Sequence, residues 1–401
     1  MAAKVRAMAL SDPLFAPLDL PCGLRLRNRL AKAAMSDGLG DGMGRPSAAQ
    51  TALYGRWADG GLALQIIGEV QVDPRYPEAP GNLVLTPGGD TSGFAALARA
   101  GTAGGTALWP QLGHAGALAR AGIGRAAGPS ALDLDGLSCV ALGTDEIEAL
   151  PELFAASAVM ARDLGFPGVE LHAAHGFLFS QFLSPLFNRR TDRYGGPITA
   201  RMDILLRTVS AMREATGPAF AIGVKLNATD QLQGGLTGDE ALQVVAALDG
   251  LAVDLIDISG GTYFPGASAA SDAGGAGAYF AEFARAARAR TKVPLMLTGG
   301  IKHRDEASRI LADGVADVVG LARAFVVDPD LAHHWQAGGP DPDFPRFTTR
   351  PPGGVTAWYT ETIAALAHDR PAPPPDADAA LASLAARDAQ LAGLWRDRFP
   401  Q

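Results

Sequence analysis

Cysteine is nearly absent from this 401-residue chain. Cys22 and Cys139 stand too far apart for a Cys-x-x-Cys metal or redox motif, and two thiols cannot hold an iron–sulfur cluster, which takes about four. Lysine is scarce as well, 5 against 29 arginines, an imbalance that reads as coding bias and makes each lysine worth inspecting. No run of Lys or Arg is dense enough to follow a phosphate backbone or an anionic membrane, and the net charge is −8, so nucleic acid is not an expected partner. Long apolar runs are missing too: no stretch of about 18 apolar residues occurs, and the opening MAAKVRAMALSDPLFAPLDL lacks the continuous apolar segment of a signal peptide. The expected location is the cytoplasm, away from membranes.

What is present is an ordinary globular composition, 48% hydrophobic and 19% charged, able to bury a large core. Length alone suggests two or three domains, although β/α barrels with insertions reach this size as one. Short apolar runs at 30–33, 62–68, 106–111, 167–172, 219–226, 253–259, 293–298 and 316–321 read as strands. Several are apolar throughout, as expected where both faces are covered. Helical periodicity falls between and after them, at 47–59, 91–100, 152–164, 199–216, 238–249, 279–290, 304–312 and 328–335. Thr237 and Glu240 form a capping box at the fifth helix. Eight such alternations favour an α/β fold, a single closed (β/α)8 TIM barrel, over an open sheet.

Three segments stand outside the repeat. Residues 1–29 precede the barrel proper, with Leu24-Arg25-Leu26 as a short hairpin strand plugging its lower end; 113–143, rich in Gly and Ala, form an insertion after the third strand. The division expected is a barrel over 1–338 and a Pro-rich, helical tail over 339–401, with an amphipathic helix at 377–394. The tail reads as an appendage or a homo-oligomer contact.

The segment from Gly168 to Gly196, GVELHAAHGFLFSQFLSPLFNRRTDRYGG, places His172 and His175 three residues apart where the chain leaves the fourth strand. Two neutral imidazoles there could hold a carbonyl oxygen and stabilise charge developing on it; the alternative is two unrelated loop histidines. Zinc is disfavoured, because no third ligand is suitably spaced, and no metal is expected. Lys225 lies inside the apolar strand AFAIGVKLNA, where a buried ammonium needs an anionic or strongly accepting partner unless it snorkels to the rim. Gln111 ends the third strand with an amide that donates and accepts together, or serves as a core glutamine bonded to backbone. Gly299-Gly300 after the seventh strand and Arg323 after the eighth stand where barrels bind phosphate.

The His172 segment resembles the Old Yellow Enzyme family of FMN-dependent reductases. The fragments LRNRLAKAAMSDG, WPQLGHAG, GVKLNATD, SGGTYFP, LTGGI and VGLARAFVVDPDL follow in that family's order, and the similarity covers residues 13–335. The resemblance implies FMN at the C-terminal ends of the strands and NADH or NADPH as electron donor. It also implies residue roles. Lys225 contacts the N1/O2 side of the flavin, Gln111 its pyrimidine edge, backbone from Ala33, Ala34 and Gly68-Glu69 packs close by, and Ser36 lies near O4. Where the family usually has Gly-Arg at the phosphate, this chain reads Ala322-Arg323.

Other departures bear on function. The family's HAAHGY motif ends in a Tyr that protonates the substrate; here that position is Phe177. The aromatic often found beyond the first strand is missing, with Gly38 nearby, and HAGR reads His114-Ala115-Gly116-Ala117. The expected pocket is therefore more open and less acidic than usual. Reduction of an activated C=C bond by a ping-pong route is the expected activity, the proton coming from water or Tyr263. The alternative is a flavin dehydrogenase, isomerase or NADH oxidase, which needs no such donor.

Overall fold

The computed structural model describes residues 12–264, 267 and 277–400. Most of residues 1–20, read above for a signal segment, fall outside the described residues, as does Pro265 of SGGTYFP. Strands β1 (Leu30–Met35), β2 (Leu64–Gln71), β3 (Ala107–Gly113), β4 (Gly168–Ala173), β5 (Ala221–Asn227), β6 (Leu255–Ser259), β7 (Leu295–Thr298) and β8 (Val318–Leu321) pair in parallel. Their order is β1-β8-β7-β6-β5-β4-β3-β2, and β2 pairs back onto β1, closing the barrel. All eight expected strands are present, with ends shifted by a few residues.

Side chains alternate across each strand, and the inward set is legible from one apolar cluster. It contains Ala31, Ala33, Leu64, Ile66, Ala107, Trp109, Ala221, Leu255, Met296 and Val318. Leu20 and Leu26 join the same cluster, with Leu18 and Leu24 packed against it. They come from the hairpin of Leu18–Asp19 and Arg25–Leu26, which plugs the barrel floor as expected. The outward positions pack on the helices in a second, larger cluster.

Helix ends deviate from the periodicity for local reasons. The third helix runs Thr144–Asp163, starting well before residue 152 and carrying Pro151 inside it. Glu146 supplies the start signal by accepting from the Gly143 N–H at 3.0 Å, and Pro151, about two turns into the helix, lacks the N–H for one intrahelical bond. The 199–216 segment divides at Met202 into Ile198–Arg201 and Asp203–Thr216. The 328–335 segment gives way to Arg323–Val327 and Leu331–Gln336, with Pro329 between them. A helix at Leu178–Leu183 follows Phe177 and was not anticipated.

The insertion forms a three-stranded sheet of Ala127–Gly128, Leu132–Leu134 and Leu137–Ala141. The tail holds two helices, Gly354–Ala367 and Ala377–Arg398, the second longer than the amphipathic segment expected and the first not expected at all. Both pack on the barrel instead of projecting from it. Trp358, Tyr359 and Ile363 are buried in the main core, and Trp395 is buried beside Val84 and Ile123. Among the described residues no helix is long and apolar enough to cross a membrane.

Candidate active site

Toward the C-terminal ends of the strands the inward positions turn polar. Parallel register sets Gln111 opposite Glu170, and Lys225 opposite both His172 and Asp257. All five side chains are therefore inward neighbours, and all are buried. Gln111 Nε2 donates to Glu170 Oε2 at 2.6 Å, the Lys225 ammonium pairs with Asp257, and Thr298 Oγ1 donates to Asp257 Oδ1 at 2.7 Å. Burial alone would push the Lys225 ammonium down, but Asp257 and Glu170 outweigh it and hold it charged. Burial pushes the Glu170 carboxyl up to about 8 despite Lys225. Lys225 is thus a fixed buried cation whose carboxylate partner comes from the next strand.

Above this layer the two histidines meet. His172 Nε2 lies 3.2 Å from His175 Nδ1, and His175 Nε2 lies 3.0 Å from Ser259 Oγ, while the buried His172 Nδ1 has no partner among the described residues. Burial, with Lys225 adding to it, depresses both imidazoles, His175 to about 3, so both are neutral near pH 7. Two tautomer sets satisfy these contacts. In one, Ser259 donates to His175 and His175 to His172, leaving His172 Nδ1–H as a free buried donor; the other reverses each bond.

His175 and Glu69 both adopt the left-handed region, φ 61° each, which non-glycine residues hold only where surrounding structure dictates it. Glu69 Oε1 lies 3.8 Å from His172 Nε2. Glu69 Oε2 accepts from Gln71 Nε2 at 3.1 Å, and that amide also donates to Asn82 Oδ1 at 3.1 Å. Asn82 Nδ2 reaches Glu78 Oε2 at 3.3 Å, where Ser36 Oγ also donates at 2.9 Å. A polar chain therefore spans the barrel mouth from Ser36 to Ser259, through two carboxyl groups and two imidazoles.

Beside it opens a cavity of about 240 Å³. Ala34, His175, Lys225, Tyr263, Gly299, Gly300, Ala322 and Arg323 line it, together with Met35, Ser259, Thr298 and the aromatic pair Tyr279 and Phe280. Gly299 and Gly300 take φ of 120° and 81°, and a Cβ on Gly300 would fall 1.9 Å from the Gly277 carbonyl, so the turn is reserved for glycine. Arg323 makes no ion pair among the described residues; its guanidinium rests 5.7 Å over the Tyr359 ring. A glycine cradle, a cation without a carboxylate and a second cation, Lys225, on one cavity suit an anionic cofactor with a phosphate at one end.

Of the other residues singled out in the sequence, Ala33, Ser36, Glu69, Gln111, His172 and Phe177 do not line this cavity. Phe177 is buried, its ring 4.9 Å from His172 and 5.8 Å from Tyr263, whereas Tyr263 is 61% exposed. The opening expected at Gly38 is filled, while the cavity lining carries no carboxyl group among the described residues. Gly38 is covered by the tail, where a Cβ would meet Arg387 and Thr360 at 3.3 and 3.6 Å, and two carboxyl groups stand at the histidine end.

Sequence reasoning missed the tail's contribution: Val355, Thr356 and Tyr359 line the cavity. It also missed Glu78, and Lys32, which is fully buried in β1. Lys32 points outward, with Nζ 4.6 Å from the Trp57 ring centroid and 3.4 Å from the Ile66 carbonyl; burial lowers it to about 8. The signal for Lys32 was the one that selected Lys225, a lysine inside an apolar strand.

Comparison with known proteins gives this geometry its setting. The family described as NADH:flavin oxidoreductase / NADH oxidase matches residues 13–341. The NADH-dependent flavin oxidoreductase iliE of Hypocrea jecorina (strain QM6a) is 34% identical over 348 residues, 79% of this chain and 86% of that protein. The NADH oxidase of Thermoanaerobacter brockii is 31% identical over 317 residues, covering 77% of this chain but 48% of its own length. Among solved structures, morphinone reductase superposes with a TM-score of 0.71 at 26% identity, over 83% of this chain and 91% of that one. A 2-naphthoyl-CoA reductase complex gives 0.77 at 25% identity, over 82% of this chain and about half, 53%, of its own. The glycine cradle and the two cations fit the flavin phosphate and ring that such proteins bind, and the chain belongs to the NADH:flavin oxidoreductase / NADH oxidase family, an FMN-dependent, NADH-linked enzyme on a single Old Yellow Enzyme-like barrel.

Proposed function

We propose that the enzyme reduces electron-poor C=C bonds, in α,β-unsaturated carbonyl compounds or similar acceptors, with NADH or NADPH as donor. The donor leaves the site before the acceptor occupies it. FMN, when bound, supplies the hydride for the β-carbon. Gly299 and Gly300 backbone and the Arg323 guanidinium hold the phosphate, with Ala322 beside them. Lys225 keeps a positive charge where the reduced ring is negative, which favours the reduced state. Ala34 lines the cavity beside the ring, and the family resemblance assigns Ala33, Ser36, Gln111 and the Glu69 backbone, which stand outside the cavity lining, to the ring's edge.

The observation that carries this reading is the buried pair of neutral imidazoles, His172 and His175, at the end of β4 beside Lys225. A substrate oxygen taking the place of one of their present contacts gains preorganised N–H donors without displacing a charged group. Anaerobic turnover of a panel of enones, nitroalkenes and maleimides tests it: NADH oxidation stoichiometric with alkene consumed is expected, and no consumption by any member would reject it. A second reading, NADH oxidase or a flavin dehydrogenase or isomerase, is favoured by one residue. Phe177 has no proton to give.

A further inference from the structure

Reduction of an alkene requires a proton at the carbon next to the carbonyl. Phe177 and Glu69 border the same imidazole: the Phe177 ring lies 4.9 Å from the His172 ring, and Glu69 Oε1 lies 3.8 Å from His172 Nε2. The left-handed backbone of Glu69, φ 61°, turns its carboxyl to that position. Gln71 holds one oxygen, Oε2, at 3.1 Å, while Oε1 accepts no hydrogen bond among the described residues.

The charges around Glu69 favour a retained proton. Glu78, joined to it through the amides of Gln71 and Asn82, is a second carboxyl, and Tyr263 and the neutral His172 complete the titratable groups facing it. Glu78 in turn faces Asp388 and Arg120. No lysine or arginine bonds Glu69 among the described residues. Two neighbouring buried carboxyls resist ionising together.

We propose, on the alkene-reductase reading, that Glu69 is the catalytic acid that replaces the missing donor at position 177. The π bond of the substrate opens; hydride that originates from NADH forms one C–H bond at the β-carbon, and the Oε1–H proton forms the other at the α-carbon. Glu69 is left as carboxylate and takes its next proton from water. Burial, and then the charge of Glu78, holds its carboxyl well above the ordinary range, which favours the protonated form the step requires.

Glu69→Gln keeps the shape and the Gln71 contact but has no acid. In FMN-loaded enzyme it should slow alkene reduction about 10²–10⁴-fold, and Glu69→Asp should restore part of the rate. The infrared difference spectrum of wild type minus E69Q at neutral pH should show a D2O-sensitive protonated-carboxyl C=O band, over the contribution that Glu170 makes to both proteins. Glu78→Gln removes the neighbouring charge, so the pH at which band and rate titrate should fall. Wild-type rates in E69Q, or no such band in the difference spectrum, would overturn the assignment while the alkene reading stands. A wild type inert toward every alkene overturns that reading and the donor with it. If E69Q fails to fold, the pH dependence of the wild-type rate and its downward displacement in E78Q still decide.

Discussion

The two ends of the site are built from different materials. At the phosphate end the fold itself does the binding: a glycine turn after β7, a cation after β8, and loop positions that barrels use for anions whatever their chemistry. At the histidine end Ser36, Glu69, Glu78, His172, His175 and Ser259, drawn from strands β2, β4 and β6 and the loops that follow β1, β2 and β4, depend on one another for protonation and direction. A backbone cradle tolerates sequence change, while a coupled side-chain network alters its chemistry with each substitution. The departures from the family pattern that bear on catalysis, Phe177 foremost, fall at the second end.

Lys225 stands at the seam, and its removal should have the largest effect. Lys225→Ala leaves Asp257 buried without its counter-charge, so unfolding should cost about 3–5 kcal/mol less, seen as a lower denaturant midpoint. The flavin potential should fall as well. A Lys225→Met, Asp257→Asn double variant sharpens the point. It should recover much of the stability, because a neutral pair needs no compensation, while the potential stays low. Recovery of both would place Lys225 away from the ring.

Arg323→Ala acts on the cradle alone. Losing one charge-assisted phosphate contact, about 1.5–3 kcal/mol, weakens FMN binding about 10–100-fold, measurable by fluorescence as FMN is titrated into apoprotein. Tyr359→Ala, which removes the ring beneath Arg323 along with a buried core side chain, should weaken FMN binding a few-fold through the lost cation–π contact, about 0.5–1 kcal/mol. Saturating FMN should restore the alkene step in both; a step that stays slow in the saturated enzyme would mean that the two ends are not separable.

The same contrast explains what the sequence disclosed. All eight barrel strands, the floor hairpin and the Gly299-Gly300 turn are local signals, carried by apolar runs and turn residues. The tail was opaque because its burial depends on surfaces more than 200 residues away: Trp395 packs by Val84, and Arg387 covers Gly38. Gln111 was read as an amide of the right kind, yet its partner, Glu170, follows from β3–β4 register, which no periodicity reveals. Lys32 and Lys225 share one signal and differ by strand parity: Ala31 and Ala33 take the inward positions of β1, so Lys32 faces the Tyr54 and Trp57 rings. Glu78 carried no signal, being a loop acid whose role comes from Asn82 and Ser36.

The smallest effect expected in the native background belongs to Phe177→Tyr, and it tests the histidine end most sharply. If Glu69 already supplies the proton, a second acid beside His172 is redundant. The new hydroxyl also enters a buried position between His172 and Tyr263, where going without a partner costs free energy. Enone reduction in this variant should therefore stay within about threefold of the wild type, well below the 10²–10⁴ that a newly supplied acid contributes. In the Glu69→Gln background the same substitution should matter, recovering tenfold or more of the lost rate, since a general acid at either position meets the requirement. Stopped-flow measurement of the alkene step in the two single variants and the double variant decides it. A large acceleration by Phe177→Tyr alone would mean that the native site lacks an acid, and that Glu69 only positions His172.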